Sequence, residues 1–393
     1  MFHNSPERTA MVRTNGNPFK PSAGHTPPLL IGRDEVIDDF TEGLDDGPGA
    51  PSRLMRITGA RGVGKTVLLS EFTRIADGRG WKTIRESASK GLAARLVTRL
   101  HSGKGSFGFT INPSANIANV AGGSLGEFHY ESPQQMPLTL SDALRNVLDD
   151  VEKHGHGLLI TIDEAQATDK DDMIAIATAA QDMNTENRNF AFVFAGLPSM
   201  SSKWLNDDAT TFMRRAEPHT LADVSLDDVA EAFEDTFSES GMTIAGQALS
   251  TATEATYGYP FMVQLVGYHI WRLASRRHPL DPVISMEDAE PGIAKALSRL
   301  GDTVHGPELD SLSPVDKTYL LAMAQDDGPS STSVIANRMG KDLGYASTYR
   351  ARLLEAQVIE DKGYGLVDFA IPYLREYLRE HAAYIRMSID PGN

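Results

Sequence analysis

The hydrophobic positions change period along the chain, and the changes divide it into three kinds of element. Short strand-like runs come first, at Leu54–Thr58, Lys82–Glu86, Leu158–Ile162 and Phe190–Gly196, the second of them polar apart from Ile84. Helix-period stretches separate them: Val67–Phe72, Leu92–Leu100, Leu140–Val151 and residues 170–183. Leu140, Leu144, Val147 and Val151 fall on one helical face. Strands alternating with helices predict an α/β sandwich with a mostly parallel sheet, closed by a last strand around Pro218–Leu221. From Ser225 the pattern is purely helical, with segments Val229–Phe237, Ile244–Ala255 and Phe261–Leu273, as in a small lid. Residues 281–313 are mixed and polar apart from an amphipathic stretch at Ile293–Leu300, and read as a connector.

The last stretch has its own grammar. Helices are predicted over 314–325, Ser333–Met339 and Gly344–Ala356. Short strands follow at Val358-Ile359 and Gly365–Phe369, then a closing helix Tyr373–Ala383. Three helices and a β-wing indicate a winged helix-turn-helix. In its third helix Ala346, Tyr349 and Leu353 share the inner face, which leaves Ser347, Thr348, Arg350 and Ala351 outward. The organisation expected is a mobile arm (1–29), an α/β core (30–224), a lid with connector (225–305) and a winged helix (306–393). Asn17-Pro18-Phe19 and Pro27-Pro28 are the points at which the arm can be pinned to the body. Residues 103–136, rich in Gly, Ser and Asn, read as an insertion carrying a small hairpin at Phe107–Ile111.

Composition narrows the chemistry. The chain of 393 residues has no cysteine, which excludes disulfides, thiolate metal sites and a cysteine nucleophile, and fits a reducing cytoplasm. No apolar run approaches the ~18 residues of a membrane span, and the N-terminus has no signal-peptide core. A net charge of −16 disfavours tight nonspecific nucleic-acid binding. The 11 histidines are scattered, and His154-Gly155-His156 has no third ligand at useful spacing, so a metal-dependent hydrolase has little support.

One stretch carries specific chemistry. After the first apolar strand comes Gly59-Ala60-Arg61-Gly62-Val63-Gly64-Lys65-Thr66, then Val67 and a helix start. This is the spacing of a phosphate-binding loop. Its glycines let backbone N–H groups line an anion nest at a helix N-terminus. Lys65 then reaches the β/γ-phosphates of ATP, and the Thr66 hydroxyl ligates Mg²⁺. The run Leu158–Ile162 ends in Asp163-Glu164, as a central strand ends at an active site. Asp163 is assigned to Mg²⁺ and Glu164 to the attacking water. Arg33, a short way upstream of the loop, is read as facing the nucleotide.

Ile31-Gly32-Arg33-Asp34-Glu35, the loop Gly59–Thr66, the Asp163-Glu164 pair and Gly258-Tyr259-Pro260 together resemble the STAND and origin-recognition-like branches of the AAA+-related P-loop ATPases. Their order is most similar to actinobacterial-type ATP-binding proteins that join such a core to a C-terminal winged helix. The resemblance spans Asn17 to about His381. It implies that Arg33 and Glu35 lie near the adenine and that Pro260 touches the nucleotide from the lid. It also implies that Arg214 or Arg215 is an arginine finger acting on a neighbouring copy in a homo-oligomer. Two features depart from it. Gly196-Leu197-Pro198 has no polar residue to sense the γ-phosphate, and Phe261-Met262-Val263-Gln264 has no lid arginine. Both favour slow hydrolysis.

Two jobs compete. In one, ATP or ADP sets a switch that repositions the C-terminal unit for a protein partner. In the other, the winged helix grips DNA directly through Ser347, Thr348, Arg350 and Arg352. Residues 306–393 hold 9 Lys and Arg against 13 Asp and Glu, a net −4, where DNA binders concentrate positive charge on the contact face.

Overall fold

The computed structural model describes residues 16–22, 30–101, 139–198, 200, 208–277 and 283–389. The proposed insertion 103–136 and its hairpin lie outside the described residues, as does the arm over 1–15 and 23–29, Pro27-Pro28 included. The core is a five-stranded sheet of β1 (Leu54–Gly59), β2 (Lys82–Ser87), β3 (Leu158–Asp163), β4 (Phe190–Gly196) and β5 (Glu217–Leu221). The spatial order is β2-β3-β4-β1-β5. Every pairing is parallel, so all five strands deliver their carboxyl ends to one edge. Registers Thr58↔Gly196, Gly59↔Leu221 and Ser87↔Asp163 align the ends of all five strands there.

Period-two alternation divides the sheet's side chains between two cores. Phe190, Phe192 and Phe194 point to one face, where they stack along β4 at centroid distances of 6.4 and 5.6 Å. That face is covered by α3 (Leu92–His101), α4 (Leu140–Val151) and α5 (Lys170–Thr185), which bury Leu96, Leu144, Leu148 and Ile176. The alternate residues Ala191, Val193 and Ala195 are small, and on their side Met55, Ile57 and Leu159 pack under α1 (Asp34–Asp46) and α2 (Lys65–Gly78). Phe40 and Phe72 stack at 4.2 Å between those two helices. Large residues on one face and small on the other let one strand serve two layers of different thickness.

The lid comprises the helices Leu226–Glu239, Gly246–Glu254, Pro260–Arg277 and Met286–Leu300 around Phe233, Phe237, Met262, Val266 and Ile270. Two-residue strands β6 (Thr243–Ile244) and β7 (Val283–Ile284) pair in parallel beside it. Residues 16–22, within the arm expected to be mobile, are built into this core at the expected pinning point Asn17-Pro18-Phe19. Phe19 is 3% exposed, and a Cβ on Gly267 would come within 2.3 Å of its ring. Asn17 Nδ2 donates to the Tyr268 carbonyl (2.9 Å), and the Lys20 N–H donates to Gln264 Oε1 (2.9 Å).

The connector also differs from its expectation. The helix Met286–Leu300 runs directly into a π-helical turn, Gly301–His305, and then the helix Gly306–Asp310. The extra residue in a π turn breaks the 3.6 period, so the buried positions Leu300, His305 and Leu309 have no regular spacing in the sequence.

Beyond it, the helices Pro314–Met323, Thr332–Met339 and Leu343–Glu355 enclose Tyr319, Leu320, Ile335 and Leu353. An antiparallel sheet of β8 (Ser330–Ser331), β9 (Ile359–Asp361) and β10 (Leu366–Phe369) runs in the order β8-β10-β9. The single closing helix expected is two, Leu374–Glu380 and Ala382–Ile389.

Candidate nucleotide site

The loop between β1 and α2 turns through Gly62 (φ +78°) and Gly64 (φ +97°), left-handed conformations that L side chains resist. Gly62 has a second constraint, since a Cβ there would lie 1.9 Å from the Tyr259 hydroxyl. That hydroxyl donates to the Arg61 carbonyl (3.0 Å), which ties the lid to the loop. The side chain of Lys65 is folded under the loop, and its Nζ donates to the carbonyls of Gly59 (2.8 Å) and Ala60 (2.7 Å). Burial lowers its pKa from the usual lysine value, and the Glu164 and Asp163 carboxylates oppose that shift.

Because β3 is parallel to β1 with β4 between them, its carboxyl end brings the acidic pair to the loop. Thr66 Oγ1 donates to Asp163 Oδ2 at 2.5 Å, so the hydroxyl and carboxylate assigned to Mg²⁺ are in contact. A neutral hydroxyl beside a carboxylate oxygen is a donor set that suits a hard divalent ion. Glu164 has a left-handed backbone (φ 53°, ψ 36°), unusual for a non-glycine residue, and its exposed side chain faces the cleft. It accepts a short hydrogen bond from Gln166 Nε2, whose Oε1 accepts from the Leu197 N–H at 3.0 Å. A Cβ on Gly196 would meet that Oε1 at 2.5 Å, so the approach needs glycine at the end of β4.

These groups open on a cleft of about 900 Å³. Of the residues singled out from the sequence, Arg33, Arg61–Val67, Glu164 and Pro260 line it. Gly59 and Ala60 lie behind it, holding Lys65. Arg33 Nη2 donates to the carbonyls of Val63 (3.2 Å) and Ala222 (2.7 Å), which clamps α1 to the loop and to the end of β5. Glu35 is exposed on the first turn of α1 and is not among the residues lining the cleft.

Several cleft residues were missed by the sequence reading. Lys20 enters from the N-terminal segment, and Arg299, Thr303, Val304, Pro307 and Glu308 form a wall from the connector. Arg61 Nη1 pairs with Glu308 Oε2 across the cleft at 2.7 Å, the arginine about half exposed and the glutamate 5% exposed. Gln166, behind the cleft, joins Glu164 to the Leu197 N–H at the end of β4, and its place three residues beyond Asp163 was the signal that could have marked it. The wall from the connector had no local signal, because it depends on the π turn.

Two groups of candidates lie elsewhere. Arg214 and Arg215 are exposed at the start of β5, the edge of the sheet opposite the loop. On the third helix of the C-terminal unit, Arg350 is paired with Asp361, and Arg352 Nη2 donates to the buried Asp316 at 2.9 Å. Ser347 and Thr348 donate back to their own helix, to the carbonyls of Leu343 (2.8 Å) and Gly344 (3.2 Å). Lys362, between β9 and β10, pairs with Glu360 at 2.8 Å.

With this geometry in place, comparison with known proteins gives the class. Residues 29–193 match the AAA ATPase domain family, and residues 302–378 match a Domain of unknown function (DUF8462). No curated protein matches the sequence significantly. The fold is similar to that of the Aeropyrum pernix ORC2 protein in its ADPNP-ADP complexes. The TM-score is 0.64 at 12% identity, over 94% of this chain and 98% of that one. It is also similar to the Walker-type ATPase PABY2304 of Pyrococcus abyssi, with TM-score 0.61 at 17% identity over 89% and 96% of the two chains. The core thus has the α/β fold of the P-loop NTPases, and most of it falls within the stretch that matches the AAA ATPase domain family. Among the described residues, no helix is long and apolar enough to cross a membrane.

Proposed function

We propose that the chain is a slow, Mg²⁺-dependent ATPase that works as a nucleotide switch, repositioning a C-terminal winged helix for a protein partner. The observation that carries this reading is the Arg61–Glu308 pair, which spans the cleft from the phosphate loop to the connector. A buried carboxylate deprived of its partner is costly, and phosphate oxygens in the loop compete with Glu308 for the Arg61 guanidinium. Nucleotide binding and the seating of the connector are therefore linked.

In this reading the backbone N–H groups of Gly62 to Val67 and the Lys65 ammonium hold the phosphates. Lys65 exchanges the Gly59 and Ala60 carbonyls for phosphate oxygens. Thr66 and Asp163 hold the Mg²⁺, which when bound neutralises phosphate charge. Glu164 orients and deprotonates water, and Gln166 fixes its carboxylate. Arg33 and Pro260 flank the base. Arg214 and Arg215, remote from their own cleft, act on a neighbouring subunit, so an isolated chain hydrolyses slowly. The similarity to the Aeropyrum pernix ORC2 protein, solved as ADPNP-ADP complexes, supports an adenine nucleotide in this cleft.

Hydrogen exchange over residues 301–310 tests the switch with ATP, with ADP and without nucleotide. Exchange should differ among the three states in the wild type and become uniform in Glu308→Gln, while ATP binding persists. Identical exchange in all three states of the wild type overturns the reading.

A further inference from the structure

The edge strand β5 carries a cluster of polar side chains that the nucleotide reading does not use. Glu217 and His219 are two residues apart, so they face the same side as Leu221, which is buried in the core beneath α1. Asp39 comes to them from α1, next to the fully buried Phe40. One carboxylate oxygen from each acid and one imidazole nitrogen all lie within 4.8 Å of one another. Glu217 Oε2 and His219 Nε2 are both sealed from solvent with no hydrogen-bond partner. The closest approach between Asp39 and His219, Oδ2 to Nε2 at 3.8 Å, is too long for a hydrogen bond. Two orphaned polar atoms in one partly buried cluster are costly and call for a third species beside them.

We infer that Asp39, Glu217 and His219 form a binding site for a first-row divalent transition ion, of which Zn²⁺ is the best match. Imidazole with two carboxylates is a donor set for such ions, and the imidazole nitrogen disfavours Mg²⁺ and Ca²⁺. Bonds of about 2.0–2.2 Å in a tetrahedral site place ligand atoms about 3.4 Å apart. The cluster therefore needs a closure of about 1.5 Å at most. Asp39, whose side chain is 36% exposed, has room to supply it, and water completes the fourth position. The ion would bind α1 to β5. The same helix and strand meet again at the cleft, where Arg33 donates to the Ala222 carbonyl. Occupancy would thus stiffen the wall that carries Arg33 without touching the phosphate loop.

The test uses the full chain, stripped by chelator and free of nucleotide, titrated with ZnCl₂ and with CoCl₂ as a visible probe. The wild type should bind one ion by calorimetry, show the absorption bands of four-coordinate Co²⁺, and gain a few degrees in its unfolding midpoint. His219→Gln and Asp39→Asn should each weaken binding by about tenfold or more and lose the bands. Asp39→Asn changes one partly exposed atom and keeps the fold measurable. A Thr66→Ala/Asp163→Asn variant should bind as the wild type does. Absence of binding by the wild type overturns the site, as does binding unchanged in both cluster variants. Binding abolished by the Thr66→Ala/Asp163→Asn change alone also overturns it, by assigning the ion to the phosphate loop. None of these readouts depends on ATP hydrolysis.

Discussion

The phosphate loop and the outward helix of the C-terminal unit both carry cations at motif positions, yet the structure disposes of them differently. At the loop, Lys65 is held by two backbone carbonyls, neutral partners that a phosphate outcompetes. In the helix Leu343–Glu355, Arg350 and Arg352 are held by the carboxylates of Asp361 and Asp316, and the Asp316 side chain is 2% exposed. A charge satisfied by dipoles remains available to an anion. A charge satisfied by an opposite charge, as at Arg350 and Arg352, reaches an anion only by breaking that pair, and unlike Arg61 these two have no anion-binding loop beside them to offset the cost. The contrast separates the two regions by how readily their cations can meet an anion, although both expose suitable residue types in the sequence.

The largest expected effect breaks the catalytic half of the comparison. Glu164→Gln should retain ATP binding and lose turnover by about 10²–10⁴-fold, because an amide cannot take a proton from water. Steady-state phosphate release set against calorimetric affinity measures both. Hydrolysis within a few-fold of the wild type would assign the base elsewhere. Next in size, Lys65→Ala should weaken ATP binding by about 100-fold, the cost of a charge-assisted contact to the phosphates. Unchanged affinity by calorimetry would remove the loop from the nucleotide assignment.

The joint between the two regions should respond to acid. His305, 2% exposed in the π turn, has its Nε2 2.9 Å from the Pro372 carbonyl. Burial holds its pKa down at about 4, which the Pro372 bond opposes and His381 reinforces. The folded state thus keeps His305 neutral while the unfolded chain protonates it near the ordinary value of 6.5. Its contribution is complete above pH 6.5, fades as pH falls, and is gone below about 4, a loss of about 3 kcal/mol in all. Urea unfolding of wild type and His305→Gln between pH 7 and 4.5 should show the two curves converging as pH falls. A constant difference would mean that His305 does not titrate in that window.

How much of this was legible follows from which interactions are local. The central strands β3 and β4 are readable because each buries a continuous apolar run, and the loop because its glycine spacing and lysine match a motif with a physical requirement at each position. The acidic pair followed from its place at the end of β3. Three things were not legible. Asn17-Pro18-Phe19 was legible as a pin but the seat of Phe19 beside Gly267 was not, and the connector wall depends on a π turn that hides its own periodicity. The ion pairs of the third helix join Arg350 to Asp361 and Arg352 to Asp316, across turns of the chain that no local pattern links. Residue type alone marks Arg350 as a candidate contact, and only packing reveals that its charge is already matched.

The smallest effect is expected where the comparison is most easily reversed. If the C-terminal unit gripped DNA, each cation engaging a phosphate would add about 0.9 to the slope of log affinity against log salt. Removing two would flatten that slope by nearly two and lower affinity throughout. Here Arg350 must first leave Asp361, and Arg352 must leave the buried Asp316, so each phosphate contact starts from a broken ion pair. Lys362, between β9 and β10, is held by Glu360 in the same way. The double variant Arg350→Ala/Arg352→Ala should therefore change affinity for duplex DNA by less than about threefold at physiological salt and leave the slope unaltered. Fluorescence anisotropy across a salt series measures both quantities. The same variant should lower the unfolding midpoint, because Asp316 is left buried without its arginine, and that loss separates a structural role from an absent one. A steep slope in the wild type that flattens in the variant would show that DNA outcompetes these carboxylates, and would make the third helix a second ligand site like the loop.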